Sequence, residues 1–331
     1  MGVGGVGAAL TWREATEQAL YGRDGFYRRT AGPVAHFRTS VHASPLFAEA
    51  LLRLALATGL RTVVDVGSGR GELLRQLHEW DAGLRLVGVD VAARPDHLPA
   101  DIAWSSAVPE VDGALLVANE WLDNVPVDVA VRTSDGDRLL MVDPVTGLES
   151  VGGPPSARDA AWLDRWWPLS ADGERAEIGW PRDAAWSSVV DRLGWGIAVA
   201  VDYAHEAGGR PELGTLTGYR DGHQVTPVPD GSCDITAHVA LDACADAGRR
   251  AGATETVLTT QREALTALDV VAEQPHPDLA SRDTGAYVAA LARLGELAEL
   301  RERGGLGDFG WLVQTVGAAL PEPLARVTVR R

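Results

Sequence analysis

The sequence predicts an α/β fold built on a mainly parallel sheet with helices on both faces, and three observations carry this. Thr62 to Val66 is a β-branched apolar run that leads into three alternating glycines and then an amphipathic pattern. That is the order of a buried strand, a tight turn and a helix N-terminus. Arg85 to Val89 reads as a second strand, closed by Asp90, 19 residues after Gly71. Gly113 to Ala118 is nearly all apolar, as a central strand covered on both faces must be.

The glycine spacing carries the cofactor reading. Dinucleotide enzymes carry G-x-G-x-x-G. Here the third glycine comes one residue early, giving Gly67, Gly69 and Gly71 after the acidic Asp65. Asp-x-Gly-x-Gly-x-Gly is the usual first motif of S-adenosylmethionine (SAM) methyltransferases, where the acid helps hold the methionine ammonium. Glycines let the backbone pass close to a cofactor, and the free amides of the helix start face its polar part. An acid at the tip of the second strand, here Asp90, bonds the ribose hydroxyls of an adenosine cofactor. NAD and SAM share that feature, so it supports the fold without choosing between them.

The remaining elements follow in order. Thr11 to Leu20 predicts a helix with Thr11 as N-cap and Glu14 completing a capping box. Ser44 to Leu56 places Leu46, Phe47, Ala50, Leu51 and Leu54 at helical spacing. Ile102 to Val108 can form a third strand, and the Gly113 strand is the fourth. The fourth ends at Asn119-Glu120-Trp121-Leu122-Asp123-Asn124-Val125-Pro126, where open α/β sheets keep their active sites. If a helical turn follows, Glu120 and Asp123 share a face; the alternative is an N-cap and a solvated turn. Val127 to Arg132 and Arg138 to Val142 predict a ribbon turning at Asp135-Gly136. Six tryptophans between Trp162 and Trp195 read better as packing than as a binding cleft. Helix Ala184 to Leu193 leads to a fifth strand, Gly196 to Val201. Gly208 to Pro229 reads as a long loop, and loops of that size are usually lids or disordered. Ile235 to Ala251 is expected to be helical, Glu255 to Leu258 a strand, and Gln261 to Leu268 and Thr284 to Arg301 helices. Phe309 to Val316 is a strand, and Ala325 to Arg331 one more short one.

Composition narrows the chemistry. Lysine is absent, so all 30 basic residues are arginine. Schiff-base chemistry, a pyridoxal phosphate anchor and a P-loop lysine are excluded. A net charge of −16 disfavours nucleic acid and would attract a cationic substrate. Two cysteines, Cys233 and Cys244, suit a reducing cytoplasm, and no apolar run reaches membrane-spanning length. The eight histidines form no metal pair, so no metal is expected. His36, His42 and His205 fall near the expected cleft mouth, though a lone histidine is usually a surface residue. No G-x-S-x-G elbow occurs.

Together these residues resemble the MidA family of SAM-dependent methyltransferases, which includes mitochondrial complex I assembly factors that methylate a protein arginine. Tyr21 to Tyr27 is similar to the family's N-terminal Gly-aromatic-aromatic element, and His36-Phe37-Arg38-Thr39-Ser40 through Glu49 to its D-F-x-T-S-P-E-I-S-x-x-F-G-E string. Asp65 to Leu73 matches E-L-G-P-G-x-G-x-L, and Asn119 to Pro126 matches N-E-x-x-D-A-L-P. Val201-Asp202-Tyr203, Gly214 to Arg220 and Cys233 to Val239 resemble I-D-Y-G, G-T-L-R-A-Y and D-L-T-A-H-V in order. His42 stands where the family writes glutamate and Val41 replaces its proline, near the expected active-site cover. Asp65 replaces glutamate and Ser68 proline, changes that keep charge or loop geometry.

The resemblance implies a class I methyltransferase, Rossmann-like, with a seven-stranded sheet whose last strand is antiparallel. Residues 1–57 would cover the active site. Residues 58–331 would form the SAM-binding core, with helical insertions at about 148–195 and 261–305 on the substrate side. SAM would lie across the first, second and fourth strand ends, over Gly67, Gly69 and Gly71, with Asp65 at its amino group and Asp90 at its ribose. Asn119, Glu120 and Asp123 are the expected catalytic residues. The acceptor stays open between a protein arginine and a cationic small molecule, as do a homodimer and a non-catalytic assembly role.

Overall fold

The computed structural model describes residues 9–28 and 40–328. The chain divides into two compact units. The first takes the described residues of Met1–Phe37 together with Trp121–Ser188 and Tyr203–Arg250. The second takes those of Arg38–Glu120, Val189–Asp202 and Ala251–Arg331.

The second unit is organised on seven strands: β1 (Thr62–Val66), β2 (Arg85–Val89), β3 (Ala103–Ser105), β4 (Val111–Asn119), β5 (Leu193–Asp202), β6 (Glu255–Thr260) and β7 (Gly310–Val316). Their order is β3-β2-β1-β4-β5-β7-β6. β1 pairs in parallel with β2 and β4, and β5 in parallel with β4, while β7 runs antiparallel to both β5 and β6. The order reverses direction beside β1, so β1 and β4 flank the switch point where such sheets bind ligands. Val63, Val64, Leu115, Leu116, Val117, Val199 and Ala200 are fully or almost fully buried, which explains why these strands read as unbroken apolar runs. Helix Pro45–Ala57 starts at the Ser44 N-cap and buries Leu46, Phe47, Leu51 and Leu54. The Phe47 ring meets Trp311 of β7 edge-on at 5.9 Å.

The first unit contains the predicted ribbon, Asp128–Thr133 antiparallel to Gly136–Val142, and extends it into a sheet that the sequence does not predict. Leu10–Thr11, Gly136–Val142, Asp128–Thr133 and Arg175–Ile178 pair in that order, all antiparallel, with Glu149–Val151 added to Gly136–Val142. The 148–195 stretch therefore carries two short strands beside helices Ala157–Trp166 and Trp180–Asp191. Its tryptophans act as packing. Trp162 and Trp167 are buried among Leu163, Ala176 and Ile178, and Trp186 is fully buried. Trp195, within β5, is the exposed exception.

Three other expectations change. Ile235 to Ala251 is not one helix: Asp234–Thr236 is a strand, and the helix begins only at Leu241. Asp234–Thr236 pairs with Thr217–Arg220, which supplies its hydrogen bonds from across the intervening hairpin and loop. The Gly208 to Pro229 loop contains a hairpin, Thr217–Arg220 with His223–Val225. It turns at Asp221 and Gly222, both with positive φ, the Asp-Gly signal of a tight hairpin. The terminal strand is instead helix Glu322–Thr328, started by Pro321, whose carbonyl accepts from the Leu324 and Ala325 amides. Residues 329–331 lie outside the described residues.

Candidate active site

The turn after β1 is built as the glycine spacing requires. Gly67, Gly69 and Gly71 have φ of 74°, 56° and 77°, in the left-handed region that side chains avoid. The Gly67 and Ser68 amides donate to the Val89 carbonyl at 2.9 and 3.1 Å, tying the loop to the end of β2. Asp90 closes it: Oδ2 accepts the Gly69 amide at 2.8 Å and Oδ1 the Ala92 amide at 2.8 Å. At Gly71 a Cβ would come within 2.8 Å of the Leu98 side chain, whereas at Gly69 it would meet nothing within 4 Å. Gly71 is thus favoured by its positive φ and by the nearby Leu98 methyls, and Gly69 borders open space.

Asp65 lies beneath this loop with 4% of its surface exposed. Ser68 Oγ donates to its Oδ2 at 2.7 Å. Burial pushes the Asp65 carboxyl up to about 7; the Ser68 bond pulls it back, and the charges of Asp90 and Glu72 add to the rise. Burial likewise raises Asp90. Acids held in this state gain most from an incoming cation or hydrogen-bond donor.

Sequence position alone did not show what surrounds the end of β4. Glu120 has φ of 49°, a left-handed backbone rare for a residue with a side chain and typical of strained functional sites. Its amide donates to the Val201 carbonyl at 2.8 Å, and its Oε1 accepts the Ser40 amide at 2.9 Å and Asn119 Nδ2 at 3.2 Å. Asn119 Oδ1 is buried with no partner among the described residues. The Ser40 hydroxyl donates to Gln261 Oε1 at 3.1 Å, and Gln261 Nε2 donates to the Leu300 and Leu306 carbonyls. Gln261, wholly buried, therefore fixes Ser40, and Ser40 aims Glu120. His42, on the same short helix Ser40–Ala43, stands 3.4 Å from Glu72 at the start of helix Glu72–Trp80. The Glu72 hydrogen bond raises the His42 pKa against the opposing effect of burial.

No helix follows Glu120. The chain bends at Glu120 and turns at Asp123-Asn124, so the helical face that Glu120 and Asp123 would share does not form. Asp123 belongs to the first unit, where Thr236 Oγ1 donates to its Oδ2 at 2.7 Å. His36 lies outside the described residues. His205 is not a surface residue: it is 8% exposed, its Nδ1 faces the Arg210 guanidinium at 2.6 Å, and Trp167 meets its ring edge-on. Burial first and the Arg210 charge second lower it to about 3, so it is neutral and structural. Among the described residues no group of histidine, cysteine or acidic side chains could hold a metal ion. None of their helices is long and apolar enough to cross a membrane.

A sheet of this order with one antiparallel strand, and a glycine loop after β1 backed by acids from β1 and β2, define a class I SAM-dependent methyltransferase. The chain belongs to the family described as "Putative S-adenosyl-L-methionine-dependent methyltransferase", whose model matches residues 72–259, over half its length. A COG1565 superfamily member from Burkholderia thailandensis, solved bound to S-adenosyl-homocysteine (SAH), is 25% identical with a TM-score of 0.81. The match covers 97% of this chain and 91% of that one. A native structure of a COG1565 superfamily protein from the same organism gives 25% identity, a TM-score of 0.78 and the same coverage. No curated protein matches the chain. The residues present fit the cofactor: a buried acid, open space beside Gly69, a second acid at the tip of β2 and an orphaned acceptor on Asn119.

Proposed function

We propose that the chain is a MidA-like enzyme that methylates a protein arginine, with a cationic small molecule as the second acceptor class. The observation that carries this reading is Glu120, a carboxylate on a strained backbone at the carboxyl end of the central strand. SAM, when bound, supplies an activated methyl group on sulfur. Asp65 would hold its ammonium and Asp90 its ribose, with Gly67, Gly69 and Gly71 passing close to it. A guanidinium stays protonated in proteins and is a poor nucleophile. A carboxylate that grips two of its nitrogens keeps the charge there and leaves the third to attack. Glu120 is our candidate for that grip. The Ser40 amide and Asn119 orient it. Holding the nucleophile in line supplies most of the acceleration. The overall charge of −16 favours a cationic partner in the same direction.

The test is to incubate the purified protein with methyl-tritiated SAM and an extract of its own cells. Label on protein, released as methylarginine after acid hydrolysis, is the expected result. Label confined to small molecules would move the acceptor to the second class. SAH binding without any transfer would favour an assembly role and contradict both.

A further inference from the structure

Three stretches far apart in the chain meet on one buried polar cluster within the first unit. The Tyr27 hydroxyl donates to Asp234 Oδ1 at 2.8 Å, and Asn124 Nδ2 reaches both Asp234 oxygens at 3.4 and 3.3 Å. Thr236, two residues on, donates to Asp123, and the Tyr21 hydroxyl donates to the Asn124 carbonyl at 3.1 Å. Arg182 staples the same region through main-chain oxygens, donating to Asp123, Val125, Ala237 and His238. Asp123 and Asp234 are 6% and 2% exposed. The sequence showed each string separately; their meeting depends on strand Asp234–Thr236 pairing with Thr217–Arg220, which places Tyr219 opposite Asp234.

Two neighbouring buried carboxyls do not both ionise freely, and their protons leave in steps that belong to the pair. We propose that Asp234, supported by Tyr27, is a positioning residue for methyl transfer: with Asp123 it forms a proton-sharing carboxyl pair that fixes the turn directly after Glu120. The groups facing this pair are Tyr21, Tyr27, Tyr219, the Cys233 thiol and the Arg182 guanidinium. Burial, then the Asp123 charge, push Asp234 up to about 7, while Tyr27 and Asn124 pull it back. Burial also raises Asp123, against the Thr236 bond and the Arg182 charge. Tyr27 is held well above its ordinary range by burial and then by Asp234, so it remains a donor. The cluster therefore changes its net charge near neutrality without any histidine. The role in turnover rests on assigning the acceptor end to the Asn119–Asp123 string; the proton sharing does not.

The experiment is carbon-13 NMR of the full chain labelled at the aspartate carboxyl carbon, titrated from about pH 5 to about pH 9, a window spanning the upper carboxyl step. Wild type should show two coupled steps from this pair, the upper near neutrality. Asp234→Asn should abolish the upper step and leave the Asp123 step where it is, since Asp123 ionises while Asp234 is still neutral; Asp123→Asn should move the Asp234 step down by about one pH unit or more, because the charge that raises it is gone. Tyr27→Phe, which keeps the ring, should move the upper step upward by removing a bond to the carboxylate; it decides the matter if Asp234→Asn does not fold. With methyl-tritiated SAM and cell extract, Asp234→Asn and Tyr27→Phe should both lose transfer and keep SAH affinity within a few-fold. An Asp234 step unmoved in Asp123→Asn, or an upper step unmoved in Tyr27→Phe, overturns the pair. Titrations that shift as expected beside unchanged transfer overturn the positioning role alone.

Discussion

The Gly69 amide donates to Asp90 at 2.8 Å, so the acid at the tip of β2 holds the loop that lies beside it. A single carboxylate thereby links the two features from which the sequence predicted an adenosine cofactor. Its other oxygen takes the Ala92 amide, which fixes the side chain before any ligand arrives. Preorganisation of this kind lowers the ordering cost of binding.

Gly69→Val should abolish SAH binding in calorimetry while the protein stays folded. The added side chain meets no protein atom near its Cβ, so the stability cost comes from φ of 56° and should be about 1–3 kcal/mol. Normal SAH affinity in this variant would show that the open space beside Gly69 is not where the cofactor lies.

SAH affinity should weaken as the pH falls below about 7. Asp65 is raised to about 7 by burial, and only its ionised form can hold an ammonium, so binding at lower pH must first expel a proton. Affinity should fall by up to about tenfold per pH unit on that limb and level off above it. The sign for stability is opposite. A raised carboxyl favours the folded state below its unfolded value of about 3.9 and loses that contribution as the pH rises through its folded value. Asp65→Asn should therefore raise the melting temperature of the ligand-free protein at about pH 8, above the raised folded value, while destroying the pH dependence of binding. A flat affinity profile in wild type would remove Asp65 from the ammonium site.

His42 is paired with Glu72 at 3.4 Å. The pair raises the His42 pKa, so its stabilisation is fully present below the unfolded histidine value of about 6.5 and disappears as the pH rises through the folded one. His42→Gln should lower the melting temperature at about pH 6, below that value, and leave it unchanged at about pH 9. Equal losses at both values would show that His42 acts by packing.

What the sequence made legible follows from range. β1, β2 and the glycine turn are local, each written in a few consecutive residues, and Thr62–Val66 and Arg85–Val89 form where expected. The Thr11 capping box and the Ser44 N-cap were readable for the same reason. The hairpin at Asp221-Gly222 has a local signal, but one set among several other glycines of the same stretch. Strand Asp234–Thr236 carried none, because its partner lies elsewhere in the chain and the helix beginning at Leu241 dominates its surroundings. Terminal Val327 and Thr328 were β-branched enough to suggest a strand, yet Pro321 starts a helix that includes them. Glu120 and Asp123 could be nominated from their string, but not the company they keep. Ser40 reaches Glu120 and Thr236 reaches Asp123 from 80 and 113 positions away, and Gln261 acts through Ser40.

Glu120→Gln tests the central claim most directly. It keeps the size of the side chain and its acceptor for the Ser40 amide, but removes the charge. With SAH affinity, methyl transfer from tritiated SAM and melting temperature measured on one preparation, affinity should stay within a few-fold and stability near wild type. Transfer should drop by roughly 10²-fold or more, the order expected for losing one charge-stabilising or general-base group. Full methyl transfer by Glu120→Gln, with only the melting temperature reduced by the equivalent of about 1 kcal/mol, would instead make Glu120 the cap of the Ser40 helix and contradict the account.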